Sequence, residues 1–507
     1  MATACLLGID VGTTGAKTAL FDLEGTPLAS VTVEWPLYHP RPGWAEQRPE
    51  DWWQGTCESI RRALQQAALP AEAVHGIGLS GQMHGAVLLD ARGEVLRPAI
   101  IWSDQRTAAQ CDWLNRHVGA ERLARIARNP ALTGFTAPKL LWTRDNEPEL
   151  WQRIYTVLLP KDYVRYRLTG ELAAEVSDAA GTLFLDVAAR RWSDELLDAM
   201  GIPRSWMPPL YESVDLAGRV TSEAASATGL AAGTPVAAGG ADNTCGAVGT
   251  GIVREGMALS SLGTSGIIFA QTDRVQTDPG QRVHTFAHSV PGRWYLMAVT
   301  QAAGLSLRWL RDRLGFTSVD GRDPYELMLA LAADVPPGAE GLLWLPYLQG
   351  ERTPHLDPFA RGALLGLTAR HDRPHLIRAV LEGVVYSLRD GLEIIRGLGI
   401  DVRQARATGG GARSRLWRQM QADVLQVEIV SVNAQEGPAF GAALLAGVAT
   451  GAYPSVEAAC DATIREVERL APNPELAPVY DRYYQAYRAA YPALRELSHT
   501  LAQLAAQ

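Results

Sequence analysis

The sequence predicts an α/β protein built from two similar halves, and three observations lead to this prediction. The chain has 507 residues, which is too long for one compact core and indicates two large domains or three ordinary ones. Apolar strand-like runs alternate with helical patterns, as is typical of α/β folds. A glycine-rich turn, VGTTG at 11–15, recurs as LGTSG at 262–266, about half a chain further on.

Each copy of the glycine-rich turn lies between two apolar runs. LLGID and AKTALFD flank the first copy, and MALSSL and IIFAQ flank the second. Tight hairpins need positive φ angles, which glycine adopts at little cost. The pattern therefore predicts one β-hairpin in each half. Because no low-complexity linker separates the halves, we place the boundary near residue 247, with domains at 1–247 and 248–507.

Two further segments have helical periodicity. Apolar residues at helical spacing from His375 to Leu388 predict a core helix. A tyrosine stripe at positions 480–491, after the proline-rich stretch 471–478, predicts a packed terminal helix. We expect this helix to dock on the first domain or on another subunit.

The composition of the chain limits its expected partners and cellular compartment. The 47 basic and 55 acidic residues give a net charge of -8 without any basic block, which argues against a nucleic-acid partner. The five cysteines form no CxxC pair, a usage typical of a reducing compartment. The chain has neither a basic signal-peptide start nor an apolar tract of about 20 residues. We expect a soluble cytoplasmic protein with no membrane partner, and a homodimer is left open.

The first hairpin is a candidate phosphate site. It is not a Walker A loop, because Ala16 separates Gly15 from Lys17. Its backbone N–H groups and the hydroxyls of Thr13 and Thr14 can donate to phosphate oxygens, and Lys17 would add positive charge. The alternative is a plain tight turn. Two such hairpins facing each other would hold a polyphosphate from both sides.

Two aspartates are candidates for chemistry. Asp10 directly precedes the first turn, where a carboxylate could hold Mg²⁺ beside phosphates; the alternative is a turn-capping aspartate. Asp242 ends the apolar run of GGADN, at a strand end where open α/β folds place their chemistry. The alternative for Asp242 is a buried structural carboxylate.

A third glycine-rich stretch, ATGGGARSRLWRQM from Ala407, leads from a predicted strand into a predicted helix. Such a loop lets a flat ring or a phosphate approach the backbone. It is not a dinucleotide fingerprint, because Ser414 stands where the third glycine belongs. The later segment EGPAFGAALLAG has a small-residue surface, for which close helix packing is the simplest interpretation.

Other catalytic patterns are absent or weak. The sequence has no HExxH zinc motif and no G-x-S-x-G nucleophile elbow. His84, in SGQMHG, lies after an apolar strand, where an imidazole could bind a small polar substrate. The alternative is a structural histidine.

As a set, these motifs resemble the FGGY family of carbohydrate kinases over about residues 6–445. The matching segments are GIDVGTTGAK, PGWAEQRPEDWW, GLSGQMHGAVLLD, GFTAPKLLW, LLPKDY, SDAAGT, GGADN, SLGTSG, PYLQGERTPH, LEGVVYSL and GGGARSRLWRQM. SGQMHG together with GGADN is similar to the members that act on D-xylulose.

The resemblance implies two ribonuclease-H-like, actin-like ATPase domains with a deep interdomain cleft. It also implies ATP-dependent phosphorylation of D-xylulose to D-xylulose 5-phosphate, with ATP and Mg²⁺ required. The alternatives are a kinase of ribulose, glycerol or gluconate, and an actin-like or Hsp70-like ATPase switch.

The resemblance also implies roles for single residues. Asp242 is similar to the general base of the family, and Asp10 to the carboxylate associated with the metal. The sugar is expected at Met83, His84, Asp242 and Asn243. ATP is expected at Gly12, Thr13, Thr14 and Lys17, at Gly263, Thr264 and Ser265, and at Gly409, Gly410, Gly411, Ala412, Arg413 and Ser414.

Overall fold

The computed structural model describes residues 4–434 and 436–505. Its strands in chain order are β1 (Cys5–Val11), β2 (Gly15–Asp22), β3 (Pro27–Glu34), β4 (Glu46–Gln47), β5 (Val74–Gly81), β6 (Val87–Leu89), β7 (Ala99–Ile100), β8 (Thr156–Leu158), β9 (Ala174–Glu175), β10 (Leu185–Asp186), β11 (Arg191–Trp192), β12 (Leu210–Tyr211), β13 (Leu216–Arg219), β14 (Pro235–Ala237), β15 (Gly240–Ala241), β16 (Met257–Leu262), β17 (Gly266–Thr272), β18 (His284–Ala287), β19 (Trp294–Thr300), β20 (Leu343–Leu345), β21 (Ala363–Leu365), β22 (Gln404–Thr408), β23 (Glu428–Val432) and β24 (Glu466–Leu470).

The helices alternate with these strands. In chain order they are α1 (Pro49–Ala67), α2 (Ala108–Trp113), α3 (Ala120–Ile126), α4 (Thr136–Asn146), α5 (Pro148–Trp151), α6 (Pro160–Thr169), α7 (Val176–Ala179), α8 (Asp194–Met200), α9 (Ser222–Thr228), α10 (Asp242–Gly249), α11 (Gly304–Arg313), α12 (Pro324–Ala333), α13 (Arg373–Gly397), α14 (Arg415–Leu425), α15 (Pro438–Ala449), α16 (Val456–Thr463) and α17 (Ala477–Leu504). α13 contains the predicted core helix.

Two mixed sheets organise the halves, and both follow one plan. In the first, β1, β2 and β3 form an antiparallel meander, while β5 and β14 continue the sheet in parallel on the other side of β1. In the second, β16, β17 and β19 form the meander, while β22 and β23 continue in parallel beyond β16. This shared plan confirms the predicted two-half α/β architecture.

The two glycine-rich turns are hairpins, as predicted, and they differ by one residue. The first hairpin closes on the pair Val11 and Ala16, and the second on the pair Leu262 and Gly266. In each, the first glycine donates its N–H back across the turn, Gly12 to the carbonyl at position 15 and Gly263 to the carbonyl at position 265, both at 3.0 Å.

One helix of the second half packs on the first sheet. α15 follows β23 in the chain, yet it lies against β1, β5 and α10. Its backbone comes so close that a Cβ atom at Gly8 would collide with the carbonyl oxygen of Ala439, and one at Gly78 with that of Ala442. The interpretation of the small-residue surface as close helix packing is therefore confirmed. The predicted boundary at residue 247 lies inside α10, and the division there stays a prediction.

The terminal helix α17 packs on the second half, against α13, α14 and β20. Its tyrosines at 480, 484, 487 and 491 are buried, and the hydroxyl of Tyr484 donates to Asp390 at 2.7 Å. The expectation that α17 docks on the first domain was wrong, because this tyrosine face fits the groove beside α13 in its own half. Within the described ranges, no helix is long and apolar enough to cross a membrane.

Candidate active site

The first sheet brings the two predicted carboxylates to one edge. β1, β5 and β15 run parallel, with Asp10 opposite Ser80 and Ser80 opposite Gly240. Asp242 begins α10 two residues after Gly240. Because the carboxyl ends of parallel strands share an edge, Asp10 and Asp242 lie beside each other there, where open α/β sheets bind ligands.

The surroundings of Asp242 suit it to accept a proton. Burial, together with the negative charge of Asp10, raises the pKa of Asp242 to about 7, against the hydrogen bond of 2.7 Å that its Oδ1 accepts from the Asn243 N–H. Burial also raises the pKa of Asp10, while the Ser80 hydroxyl, 2.9 Å from Oδ1, and the charge of Lys17 lower it. A carboxylate that titrates near neutral pH is the best compromise for a general base.

The predicted sugar residues lie at the same edge. Met83 and His84 lie two and three residues after the end of β5, and the Asn243 amide donates to the sulfur of Met83 at 3.6 Å. His84 Nδ1 lies 2.6 Å from the carbonyl oxygen of Gly181, which only accepts, so Nδ1 carries the proton and Nε2 is left as an acceptor. Burial, with the charge of Lys139, lowers the pKa of His84 to about 3 and keeps the ring neutral.

The first hairpin is anchored by side chains that sequence reasoning missed. The backbone carbonyl of Thr13 accepts from the Gln47 amide at 2.6 Å and from the Trp35 indole at 3.1 Å. The side-chain hydroxyl of Thr13 accepts from the indole of the half-exposed Trp102 at 2.9 Å. Among the described residues, the N–H groups of Thr13 and Thr14 have no acceptor. These two N–H groups are therefore available to a ligand.

Lys17 has a protein partner in the structure. Its Nζ lies 2.6 Å from Oε2 of Glu436, which also accepts from the Ser30 hydroxyl at 2.8 Å. Burial acts to raise the pKa of Glu436, but the hydrogen bonds from Lys17 and Ser30, with the charge of Lys17, lower it overall. The Lys17 ammonium has three donors and is partly exposed, so a phosphate near it would share its charge with Glu436.

The second sheet has a corresponding edge with a cavity beside it. Ser261 pairs with Thr408 in the parallel strands β16 and β22, so the hairpin 263–265 and the loop 409–413 emerge together. A cavity of about 580 Å³ adjoins them, within the size range of small-molecule sites. Its lining residues are Leu262, Gly263, Thr264, Gly304, Leu307, Arg308, Asp323, Tyr325, Glu326, Leu329, Gly410, Gly411, Arg413, Ser414 and Trp417.

The loop at 409–413 needs its glycines. Gly409 has a φ of 78°, and a Cβ there would lie 2.6 Å from the carbonyl oxygen of Leu262. A Cβ at Gly411 would lie 2.6 Å from the Cβ of Leu262. Ser414 is the N-cap of α14, since its hydroxyl accepts from the Trp417 N–H at 3.2 Å. Gly409 and Gly411 are therefore needed for close packing on Leu262, whereas Gly410, which lines the cavity, has open space at its Cβ position.

The structure places the predicted ATP residues unevenly around this cavity. Ser265, Gly409 and Ala412 are adjacent to it but do not line it, whereas the predicted residues Gly263, Thr264, Gly410, Gly411, Arg413 and Ser414 do. Sequence reasoning missed the wall formed by α11 and α12, including Arg308, Tyr325 and Glu326. The only sequence signal for this wall was helical spacing, which any amphipathic helix shows.

The fold and this site match one family of enzymes in both halves. The model for the FGGY family of carbohydrate kinases, N-terminal domain, matches residues 5–249, and the C-terminal domain model matches residues 258–450. The chain belongs to the FGGY family of carbohydrate kinases, whose members use ATP as the phosphate donor.

Curated and solved relatives agree with this assignment. The chain is 40% identical to the xylulose kinase of Bacillus subtilis (strain 168) over 496 residues, which cover 98% of each chain. It is 45% identical to the xylulose kinase of Escherichia coli (strain K12) over 444 residues, or 87% of this chain and 90% of the relative. The crystal structure of xylulose kinase from Rhodospirillum rubrum superposes with a TM-score of 0.91 at 34% identity, covering 98% of this chain and all of that one.

Proposed function

We propose that this chain transfers the γ-phosphoryl group of ATP to D-xylulose and forms D-xylulose 5-phosphate. The family is one of carbohydrate kinases, and the xylulose kinases above are similar over nearly the whole chain. The observation that carries the mechanism is the carboxyl of Asp242, which titrates near pH 7 beside Met83, His84 and Asn243.

Asp242 acts as the general base. In phosphoryl transfer the protein aligns the attacking oxygen with the γ-phosphorus and balances the charge that develops. The terminal hydroxyl of the sugar gives its proton to the Asp242 carboxylate while its oxygen bonds to phosphorus, and the bond from phosphorus to the bridging oxygen breaks to release ADP.

His84 and Asn243 orient the sugar. Because Nδ1 of His84 is committed to Gly181, the free Nε2 accepts a hydrogen bond from a sugar hydroxyl and cannot donate one. The amide of Asn243, next to the base in the chain and in contact with Met83, supplies a donor and an acceptor. This pair selects a polyol and keeps its terminal hydroxyl near Asp242.

The two hairpins bind the phosphates of ATP. The N–H groups of Thr13 and Thr14, like those of Thr264 and Ser265, have no acceptor among the described residues. Such successive N–H groups form anion-binding concavities. The cavity beside Gly410 and Gly411 takes the adenosine part.

The residues at the first edge fit a magnesium ion. Oδ1 of Asp10 accepts from Ser80, but Oδ2 of Asp10 has no hydrogen-bond donor among the described residues. The described residues contain no cluster of three or more metal-ligating side chains, which suits Mg²⁺, since it is usually held by one or two carboxylates and substrate phosphates. Asp10 would hold the ion, which when bound supplies positive charge to the phosphates.

The test is the release of ADP from Mg-ATP in the presence of D-xylulose, D-ribulose, L-ribulose, glycerol or gluconate, beside a control without sugar. We expect strong and selective stimulation by D-xylulose. Stimulation by another polyol would retain the kinase and change the substrate. Hydrolysis that does not depend on sugar would favour an ATPase switch instead.

The substitution Asp242→Asn tests the base. It keeps the volume and the bond to the Asn243 N–H but cannot accept the proton, so we expect kcat to fall by about a hundredfold or more, with sugar binding retained. The surface variant Asp401→Asn, an exposed carboxylate, is the matched control. A kcat near that of the wild type for Asp242→Asn would refute the assignment.

A cytoplasmic location is part of the same proposal, and a homodimer stays an open alternative. All five cysteines are free and buried, a state that a reducing compartment maintains. Light scattering in solution would give the oligomeric state.

A further inference from the structure

Beside the proposed sugar site lies a lysine that has no carboxylate within ion-pair distance among the described residues, although the charge of Asp104 acts on it. Lys139, in α4, is fully buried. Its Nζ donates to the carbonyl oxygens of His84 at 2.8 Å and of Gly134 at 2.6 Å. None of the ion pairs among the described residues includes it. A buried ammonium without a carboxylate is costly, and burial accordingly lowers the pKa of Lys139 well below its ordinary range.

The carbonyl that Lys139 binds belongs to a strained residue. His84 has a φ of 71°, in the left-handed region that non-glycine residues avoid because their Cβ crowds the following carbonyl. The hydroxyl of Thr136, one turn before Lys139 on α4, donates to the same carbonyl at 3.1 Å. Two buried donors therefore hold the backbone of His84 in a conformation that it would not adopt freely.

This backbone conformation fixes where the ring points. Lys139 and Thr136 donate to the carbonyl of His84, and the carbonyl of Gly181 accepts from its Nδ1. Because the backbone and the ring of His84 are both held, its Nε2 points in a fixed direction. Lys139 also links the loop of His84 to the loop of Gly134, since its Nζ donates to the carbonyl of Gly134. Gly134 in turn packs closely on the backbone of Trp102, because a Cβ at Gly134 would lie 2.9 Å from the carbonyl oxygen of Trp102.

We infer that Lys139 is a positioning residue: with Thr136, it holds the carbonyl of His84 and so aims the imidazole at the sugar. This inference rests on the proposed function. It gives this buried amino group a function: its two hydrogen bonds preform the sugar site.

The substitution Lys139→Met tests the inference, because methionine fills much of the same volume without charge or donors. We expect the KM for D-xylulose to rise about tenfold or more, with the KM for ATP and kcat within about threefold of wild type. Thr136→Val, which removes the second donor, should raise the sugar KM by a smaller factor. Thr143→Val is the matched control, since Thr143 is buried on the same helix but donates to the carbonyl of Lys139, one turn back.

A double-variant comparison separates positioning from general stability. In a His84→Ala background, Lys139→Met should change the sugar KM by less than twofold, because the ring that it positions is gone. An equal rise in both backgrounds, or no rise in the single variant, would overturn the inference. If Lys139→Met does not fold, as judged by circular dichroism and thermal unfolding, Thr136→Val with its Thr143→Val control decides by the same criteria.

The wild-type enzyme in the same assay distinguishes a failure of the proposed function from a failure of the inference about Lys139. If D-xylulose does not stimulate it, the proposed substrate is wrong, and the comparison is made with the sugar of the panel that does. If no sugar stimulates it, both the proposed function and the inference fail. If D-xylulose stimulates the wild type but the sugar KM is unchanged in Lys139→Met and Thr136→Val, only the inference is overturned.

Discussion

The pKa of the Asp242 carboxyl is set by its burial and by a second acid nearby. Burial raises its pKa most, and the charge of Asp10 raises it further. Burial penalises the charged form of the carboxyl, and the nearby charge of Asp10 adds to this penalty, so a group that ordinarily titrates near pH 4 can act as a base at neutral pH. The same crowding of negative charge suits the edge to a cation.

This raised pKa predicts a pH dependence. Asp242 must be ionised to accept a proton, and below its pKa of about 7 the protonated fraction grows. We expect kcat/KM for the sugar to fall about tenfold per pH unit below pH 7 and to level off above it. His84 does not add a second limb, because its pKa of about 3 keeps it neutral throughout. A profile that is flat from pH 5.5 to 8 would contradict the assignment of the base.

Single residues show where sequence reasoning reaches its limit. Asp10 lies near the end of an apolar strand, and Asp242 and His84 come after one; strand ends of this kind can be recognised in the sequence. The pairing of Lys17 with Glu436 joins positions that are far apart in the chain, so no local pattern contained it. Lys139 lay within a recognised motif, but its role depends on a neighbour, the carbonyl of His84, that only the fold supplies.

At the scale of elements, the contact between α15 and the first sheet is made by backbone. Gly8 and Gly78 lie on β1 and β5 where side chains would otherwise separate helix from sheet. The sequence indicated that the helix had a small-residue surface, but not which sheet it faced, because the order of elements in the chain places it in the other half.

This close contact predicts a severe effect of one methyl group. In Gly78→Ala, the added Cβ would overlap the carbonyl oxygen of Ala442, so helix and sheet must move apart. We expect the free energy of unfolding to fall by about 3 kcal/mol, measured by denaturant unfolding. Gly397→Ala is the matched control: Gly397 lies at the end of α13 with nothing within 4 Å of the added Cβ, and the change should be neutral or slightly stabilising. Equal stability of both variants would show that the helix can shift at no cost.

For the whole molecule, the sequence predicted the two α/β halves better than it predicted which surfaces the helices pack on. Length, alternating elements and the repeated hairpin were enough for two α/β halves, since each is a local property that recurs. The destinations of α15 and α17 were not available from the sequence, because both depend on which surface remains uncovered once the sheets have formed. The wall of the cavity formed by α11 and α12 is a long-range feature of the same kind.

The return of α15 to the first sheet means that the polypeptide cannot be divided into two self-sufficient pieces at its middle. A fragment of residues 1–247 would lack the helix that covers Gly8 and Gly78, and a fragment of residues 248–507 would expose the apolar face of that helix to water. Expressed alone, each piece should aggregate; expressed together, they should recover a soluble enzyme with sugar-dependent ADP release. The two halves share a sequence plan, but because of this shared helix we expect them to be stable only as a pair; a soluble, folded fragment of residues 1–247 would contradict this.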